Sequence, residues 1–85
     1  MRNELIQFKQ NIALYAFRYA LGRTSYAASE VASYLIQHKK MFTDGFRNII
    51  ISEIDFAIKE GLAGMDFDIV QWKQVIIEFK KLDEK

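Results

Sequence analysis

Hydrophobic residues recur along the first twenty positions in two interleaved helical series. Leu5, Phe8, Ile12, Tyr15 and Tyr19 step by three and four, and Ile6, Ala13, Phe17, Ala20 and Leu21 make a second face. Spacing of this kind specifies an α-helix, here over residues 3–21. Glu4, Gln7, Gln10 and Asn11 keep a polar side in the first turns, whereas from Ile12 to Leu21 the only charge is Arg18. A helix that is apolar all round is touched from several sides. This segment is therefore expected to be the central helix, enclosed by the rest of the chain or by a second copy. Gly22 suits the left-handed position that ends a helix, where a Cβ would clash.

Three further helices follow from the same pattern. The second is predicted over 26–41, with Thr24 or Ser25 as its cap and Ala28, Val31, Ala32 and Leu35 as its buried stripe. Ala28 and Ala32 lie one turn apart and admit a close neighbour. Lys39 and Lys40 fall in the last turn, where cations complement the carbonyl end of the dipole. The third is predicted over 44–60, capped by Thr43 or Asp44, with Phe46, Ile50, Ile54, Ala57 and Ile58 as its stripe and Ile49, Phe56 and Ile51 widening it. The run Ile49–Ile51 has no β-branched partner run nearby, so a helix is favoured over a strand. Gly61 then ends the helix, with Leu62 placed as the hydrophobic contact of a Schellman turn. The fourth is predicted over 69–82. Asp68 and Gln71 fit a capping box, Phe67 and Trp72 a hydrophobic staple, and Trp72, Val75, Ile76 and Phe79 share one face. The tail Asp83-Glu84-Lys85 is expected to fray. Connections of ~3–7 residues favour antiparallel neighbours. The fold class is thus all-α, a compact four-helix arrangement in a single domain spanning 1–85.

Composition supports that reading. Of 85 residues, 51% are hydrophobic and twelve are aromatic, which gives a short chain a rich core. Proline is absent and glycine numbers four, as helices require. There is no cysteine, so no disulfide or thiolate metal site. The apolar excess in so short a chain suggests a homo-oligomer. The sequence opens on the polar Arg2, Asn3 and Glu4, and the longest charge-free apolar run is Ile12 to Phe17, far short of the ~20 residues that span a bilayer. No membrane association is expected, and the location expected is cytoplasmic. The net charge of +1 is unevenly spread: residues 1–47 hold seven Lys or Arg against three acids, and 48–68 hold one against five.

Candidate chemistry is sparse. His38 is the only histidine and has no nearby carboxylate on its helix, so it forms no hydrolytic or metal site. Ser25 and Ser29 have no paired base. Gly61 and Gly64 lack the Lys-Ser/Thr of a phosphate loop, and Asp66 and Asp68 have no third calcium ligand or closing Glu at the required interval. No enzyme activity, cofactor or metal is expected. Arg18 sits among apolar neighbours, where a guanidinium needs a partner. Glu53 and Asp55 are the candidates for an internal ion pair; contact with a binding partner is the alternative. A nucleic-acid-binding module would use Arg18, Arg23, Lys39, Lys40 and Arg47 with Tyr19, Tyr26 and Tyr34. Against it, the second helix is poor in the Arg, Asn and Gln that read base edges.

The segment Arg18-Tyr19-Ala20-Leu21-Gly22-Arg23, followed by Thr24 and Tyr26, resembles small proteins carried by bacteriophages and other mobile elements. These pair an RYALGR-x-x-Y-like segment with a later LG-x-D-like segment and a Trp. Here the second part is Leu62-Ala63-Gly64-Met65-Asp66 with Trp72, in which Ala63 interrupts the contiguous form. The resemblance implies a phage or prophage setting and a non-enzymatic protein that binds a host protein, as an inhibitor of host defence or in host takeover. Arg23, Tyr26, Arg47, Glu53, Asp55 and Glu60 are the expected contacts.

Overall fold

The computed structural model describes residues 2–23 and 25–82, and the side chains of 4–23 and 26–82. The elements run α1 (Arg2–Ala20), α2 (Ser25–Gln37), a 3₁₀ turn (Lys39–Met41), α3 (Asp44–Lys59) and α4 (Asp66–Lys81). No strand occurs among the described residues, and the all-α four-helix domain is what forms. The expected cap at Thr24 or Ser25 and the tail 83–85 lie outside the described residues or side chains.

The helices alternate in direction. α2 makes its most extensive contact with α4, while α1 leans on α2 and α3 on α4. Links between α1 and α3 climb in step, from Gln10 and Thr43 through Arg18 and Glu53 to Gly22 and Leu62. The molecule measures 39 × 28 × 20 Å. Its thinnest dimension is two helix diameters, so each helix keeps an outward side.

That shape corrects the expectation for α1. The buried series is the one with the alanines: Ala13, Phe17 and Ala20 are sealed, and Ile6 and Leu21 are half-buried. The small alanines let the backbone approach its neighbours, and Phe17 meets Trp72 edge-on at 5.4 Å between ring centroids. Leu5, Phe8, Ile12, Tyr15 and Tyr19 all lie open to solvent. Within one chain α1 is therefore enclosed along a stripe and not around its circumference.

Trp72, Val75 and Phe79 of α4, Leu35 with Ala28 and Ala32 of α2, and Ile50, Ile54 and Ala57 of α3 complete the core. Two of the residues expected to widen the α3 stripe, Ile49 and Phe56, are exposed, and Ile51 is half-buried. In a two-layer bundle α3 buries a single stripe, and these positions fall on its flanks.

Two helix boundaries differ from the sequence pattern. α2 stops at Gln37, short of residue 41, and the chain tightens into the 3₁₀ turn, with the Met41 N–H bonded to the His38 carbonyl at 2.9 Å. This sends Phe42 into the core, against Phe46 at 4.7 Å and Phe79 at 6.2 Å. α4 begins two residues earlier than Asp68, with Met65 as its N-cap. Asp68 acts from inside the first turn, where its carboxylate accepts the Met65 N–H at 2.9 Å. Phe67 is 62% exposed and makes no staple with the sealed Trp72. Gly64 explains the tight approach: it has φ +91°, and a Cβ there would lie 2.7 Å from Asp68 Oδ2.

At the opposite end of α4, Glu78 accepts Lys39 Nζ at 2.7 Å, Lys81 Nζ at 3.1 Å and Gln74 Nε2 at 3.1 Å. The two ammonium groups pull its carboxyl down to a pKa of about 2. The folded value lies below the ordinary one near 4.5, so Glu78 stabilises the fold above that ordinary value. The contribution fades as pH falls from there towards 2. Thermal unfolding of Glu78→Gln should accordingly show a smaller drop in midpoint between neutral and acid pH than the parent chain.

Candidate functional site: a groove between α1 and α3

α1 and α3 run in the same direction, linked by Arg18–Glu53 and Gly22–Leu62, and a space opens beside their C-terminal halves. The opening is a groove of about 500 Å3, lined by Arg18 and Leu21 from α1, Ser52, Glu53, Phe56 and Ala57 from α3, and Leu62 beyond it. Its floor is apolar, and Phe56 and Leu62 stand exposed at its edge. Ser52, Phe56 and Glu60 follow one another at single-turn intervals, so Glu60 continues the same face of α3.

One wall is an ion pair. Arg18 donates through Nε to Glu53 Oε1 at 3.0 Å and through a terminal nitrogen to Oε2 at 2.6 Å. Two parallel bonds from a planar fork fix both side chains. The carboxylate, by hydrogen bonding and by charge, raises the guanidinium pKa further. Of the two expected partners, Glu53 is chosen and Asp55 is left exposed on the neighbouring flank; the pair is not internal as expected, because α1 is open on its outer side and the Arg18 side chain is 55% exposed.

The end of the groove is set by two turns. α3 closes in a Schellman motif, with Leu62 N–H bonded to Ala57 O at 2.7 Å and Gly61 N–H to Ile58 O at 3.2 Å. This aims the Leu62 carbonyl at Gly22, which ends α1 at φ +81° and has no room for a Cβ beneath that oxygen. The segments 18–23 and 62–66, forty residues apart in sequence, therefore meet at one end of the molecule.

The other expected contacts are scattered. Arg23 is exposed and its guanidinium stacks 4.5 Å from the centre of the Tyr19 ring, a cation–π contact. Tyr26 is 77% exposed at the start of α2. Arg47 is a correction: it is buried and donates to the carbonyls of Lys39 and Phe42 and to the carboxylate of Asp44. It satisfies carbonyls of the 3₁₀ turn and of the link to α3 and has no surface to offer a partner. It also sits nine residues before Phe56, roughly 14 Å along the helix axis.

The five cations of the nucleic-acid reading are dispersed in the same way. Lys39 is paired with Glu78 and Arg47 is turned to the interior, while Arg18, Arg23 and Lys40 are exposed, Arg18 with its guanidinium held by Glu53. His38 is half-buried and stacks on Tyr34 at 4.5 Å between centroids. No group of three or more His, Cys, Asp or Glu side chains among the described residues is arranged to hold a metal ion. No described helix is long and apolar enough to cross a membrane.

Gln10 corrects the polar side expected for the first turns of α1. It is buried, and its side-chain oxygen accepts the Thr43 N–H at 2.8 Å, while Thr43 caps α3 by accepting the Phe46 N–H at 3.2 Å. Gln10 falls in phase with Ile6, Ala13 and Phe17, and that register is the signal that marks it as inward-facing. No known protein family, curated protein or solved structure matches the chain.

Proposed function

We propose that this protein is a non-enzymatic binding module that seats an apolar side chain of a protein partner in the α1–α3 groove. The observation that carries the reading is the pairing of exposed Phe56 and Leu62 with an apolar floor beside a fixed Arg18–Glu53 pair. Binding hot spots combine a desolvated aromatic or aliphatic anchor with ordered polar groups at the rim. Exposed Asp55 and Glu60 near the groove favour a partner surface with basic residues beside its anchor. The resemblance to phage-borne proteins suggests a setting: a cytoplasmic inhibitor of a bacterial defence protein or of another host target.

A nuclease-treated lysate of a bacterial host tests this with three proteins side by side. The parent chain is expected to retain a protein that Phe56→Ala loses by at least about tenfold, and that Tyr26→Ala retains if the groove is the contact. Equal retention by the parent chain and Phe56→Ala, or retention that vanishes with nuclease, would overturn the reading.

A further inference from the structure

The first turn of α4 sets two local preferences against each other. The sequence carries a complete start signal at Asp68, with Gln71 to close a capping box and Phe67 and Trp72 at the staple positions. The helix nevertheless starts at Asp66, behind Met65, whose thioether is a weak acceptor for first-turn amides. The earlier start has visible costs. Asp68 is 2% exposed, yet its Oδ1 accepts no hydrogen bond. One turn further along the same buried face, Trp72 Nε1 donates none. Buried polar atoms without a partner are expensive. Phe67 and Met65 meanwhile stand in water, at 62% and 75% exposed. A carboxylate thus occupies the interior while the phenylalanine beside it lies outside. Gly61 and Gly64 give the preceding connector two left-handed joints, at φ +72° and +91°.

We infer that α4 has a second start, at Ile69, and that the chain exchanges between the two. In the second start Asp68 turns outward as the N-cap, and its carboxylate accepts the N–H groups of Val70 and Gln71. Gln71 reaches back to the Asp68 N–H, and Phe67 folds in against Trp72. Each start has its own gain. The first keeps Asp66, Phe67 and Asp68 helical, with the Asp68 and Ile69 N–H groups bonded to the Met65 carbonyl at 2.9 and 3.0 Å. The second removes the orphaned carboxylate oxygen from the interior and buries a ring. The exchange makes the connector a switch. It is held at one end by the Schellman turn of α3 and at the other by the Met65–Asp68 hydrogen bond, and it carries Leu62 at the edge of the groove. A partner seated on Leu62 selects the start that holds the connector at both ends; this consequence alone rests on the groove reading above.

Ile69→Pro separates the two starts. In the first, proline removes the bond from residue 69 to the Met65 carbonyl and clashes with that oxygen. In the second, residue 69 is the first helical position, where proline is favoured. Ile69→Ala, which removes only the side chain, is the matched control. Ile69→Pro should keep one cooperative unfolding transition. Its Cα chemical shifts should leave the helical range at 66–68 and stay helical over 70–81, with nuclear Overhauser contacts between the Phe67 and Trp72 rings. Phe67→Ala should move the unfolding midpoint of Ile69→Ala by less than about 2 °C, and lower that of Ile69→Pro by at least about 5 °C. NMR relaxation dispersion of the parent chain should show exchange on the microsecond-to-millisecond scale at the α4 start, suppressed by Phe67→Ala. Equal effects of Phe67→Ala in the two backgrounds would overturn the second start. So would a parent chain without that exchange, or exchange that Phe67→Ala leaves unchanged, and this measurement decides even if Ile69→Pro does not fold. None of these readouts uses a partner, so the switch and the groove reading fail separately. Equal retention of the lysate protein by Ile69→Pro and Ile69→Ala would overturn the coupling to the groove.

Discussion

Phe17→Ala should cost about 3–5 kcal/mol of folding stability. The ring is sealed at 0% exposure and its edge contact with Trp72 ties α1 to α4. Its ring partner Trp72 is itself fully buried, as is the rest of the core around them, so the cavity has little room to collapse. A chain of 85 residues has a total stability of about 4–13 kcal/mol. The midpoint of thermal unfolding should fall by at least about 15 °C, given the small size of the domain. Tyr15→Ala, two positions away and 78% exposed, is the matched control, and in dilute solution it should shift the midpoint only slightly.

Gly22→Ala is the second large effect, at about 2–3 kcal/mol. The substitution meets two obstacles together. A residue with a Cβ is strained at φ +81°, and that Cβ would overlap the Leu62 carbonyl oxygen. The oxygen is backbone, held by the Leu62–Ala57 hydrogen bond at 2.7 Å, so relief requires the α3–α4 turn to move away from α1. The groove is lined by Leu21 on one side of this contact and by Leu62 on the other, and partner retention should fall along with stability. Gly45→Ala gives the opposite sign. Gly45 lies in the first turn of α3, and a Cβ added there would meet nothing within 4 Å. Alanine at that position should stabilise by up to about 0.5–1 kcal/mol. Chemical denaturation of the two variants beside the parent chain measures both.

Periodicity locates all four helices because each carries an apolar stripe at helical spacing. It does not say which of the two stripes on α1 faces the chain's own core. Summed hydrophobicity favours the larger residues, Leu5, Phe8 and Ile12, yet close packing favours the stripe with Ala13 and Ala20, whose small side chains let helices approach. Arg47 shows a related blind spot. Its charge marks it as a surface contact, although it stands in phase with Ile50, Ile54 and Ala57, and the stripe register is the better guide. The early stop of α2 has no local signal: it depends on Phe42 finding Phe46 and Phe79, and on Arg47 binding the carbonyls of Lys39 and Phe42 in the turn that follows. The start of α4 is misplaced for a local reason, since Asp68 has the chemistry of a cap while its carboxylate serves from the third position of the helix. Of the groove, the Arg18–Glu53 pair is legible as charges needing partners. The meeting of Gly22 with Leu62, which closes one end, is a tertiary contact that no spacing reveals.

α1 has two faces, and the inner one alone carries the fold of the single chain. A variant with Leu5, Phe8, Ile12, Tyr15 and Tyr19 all replaced by Gln puts this division to the proof. Thermal unfolding followed by circular dichroism at low micromolar concentration should give full helical content and one cooperative transition within about 5 °C of the parent chain. Loss of the cooperative transition, or of the α1 helix itself, would contradict it.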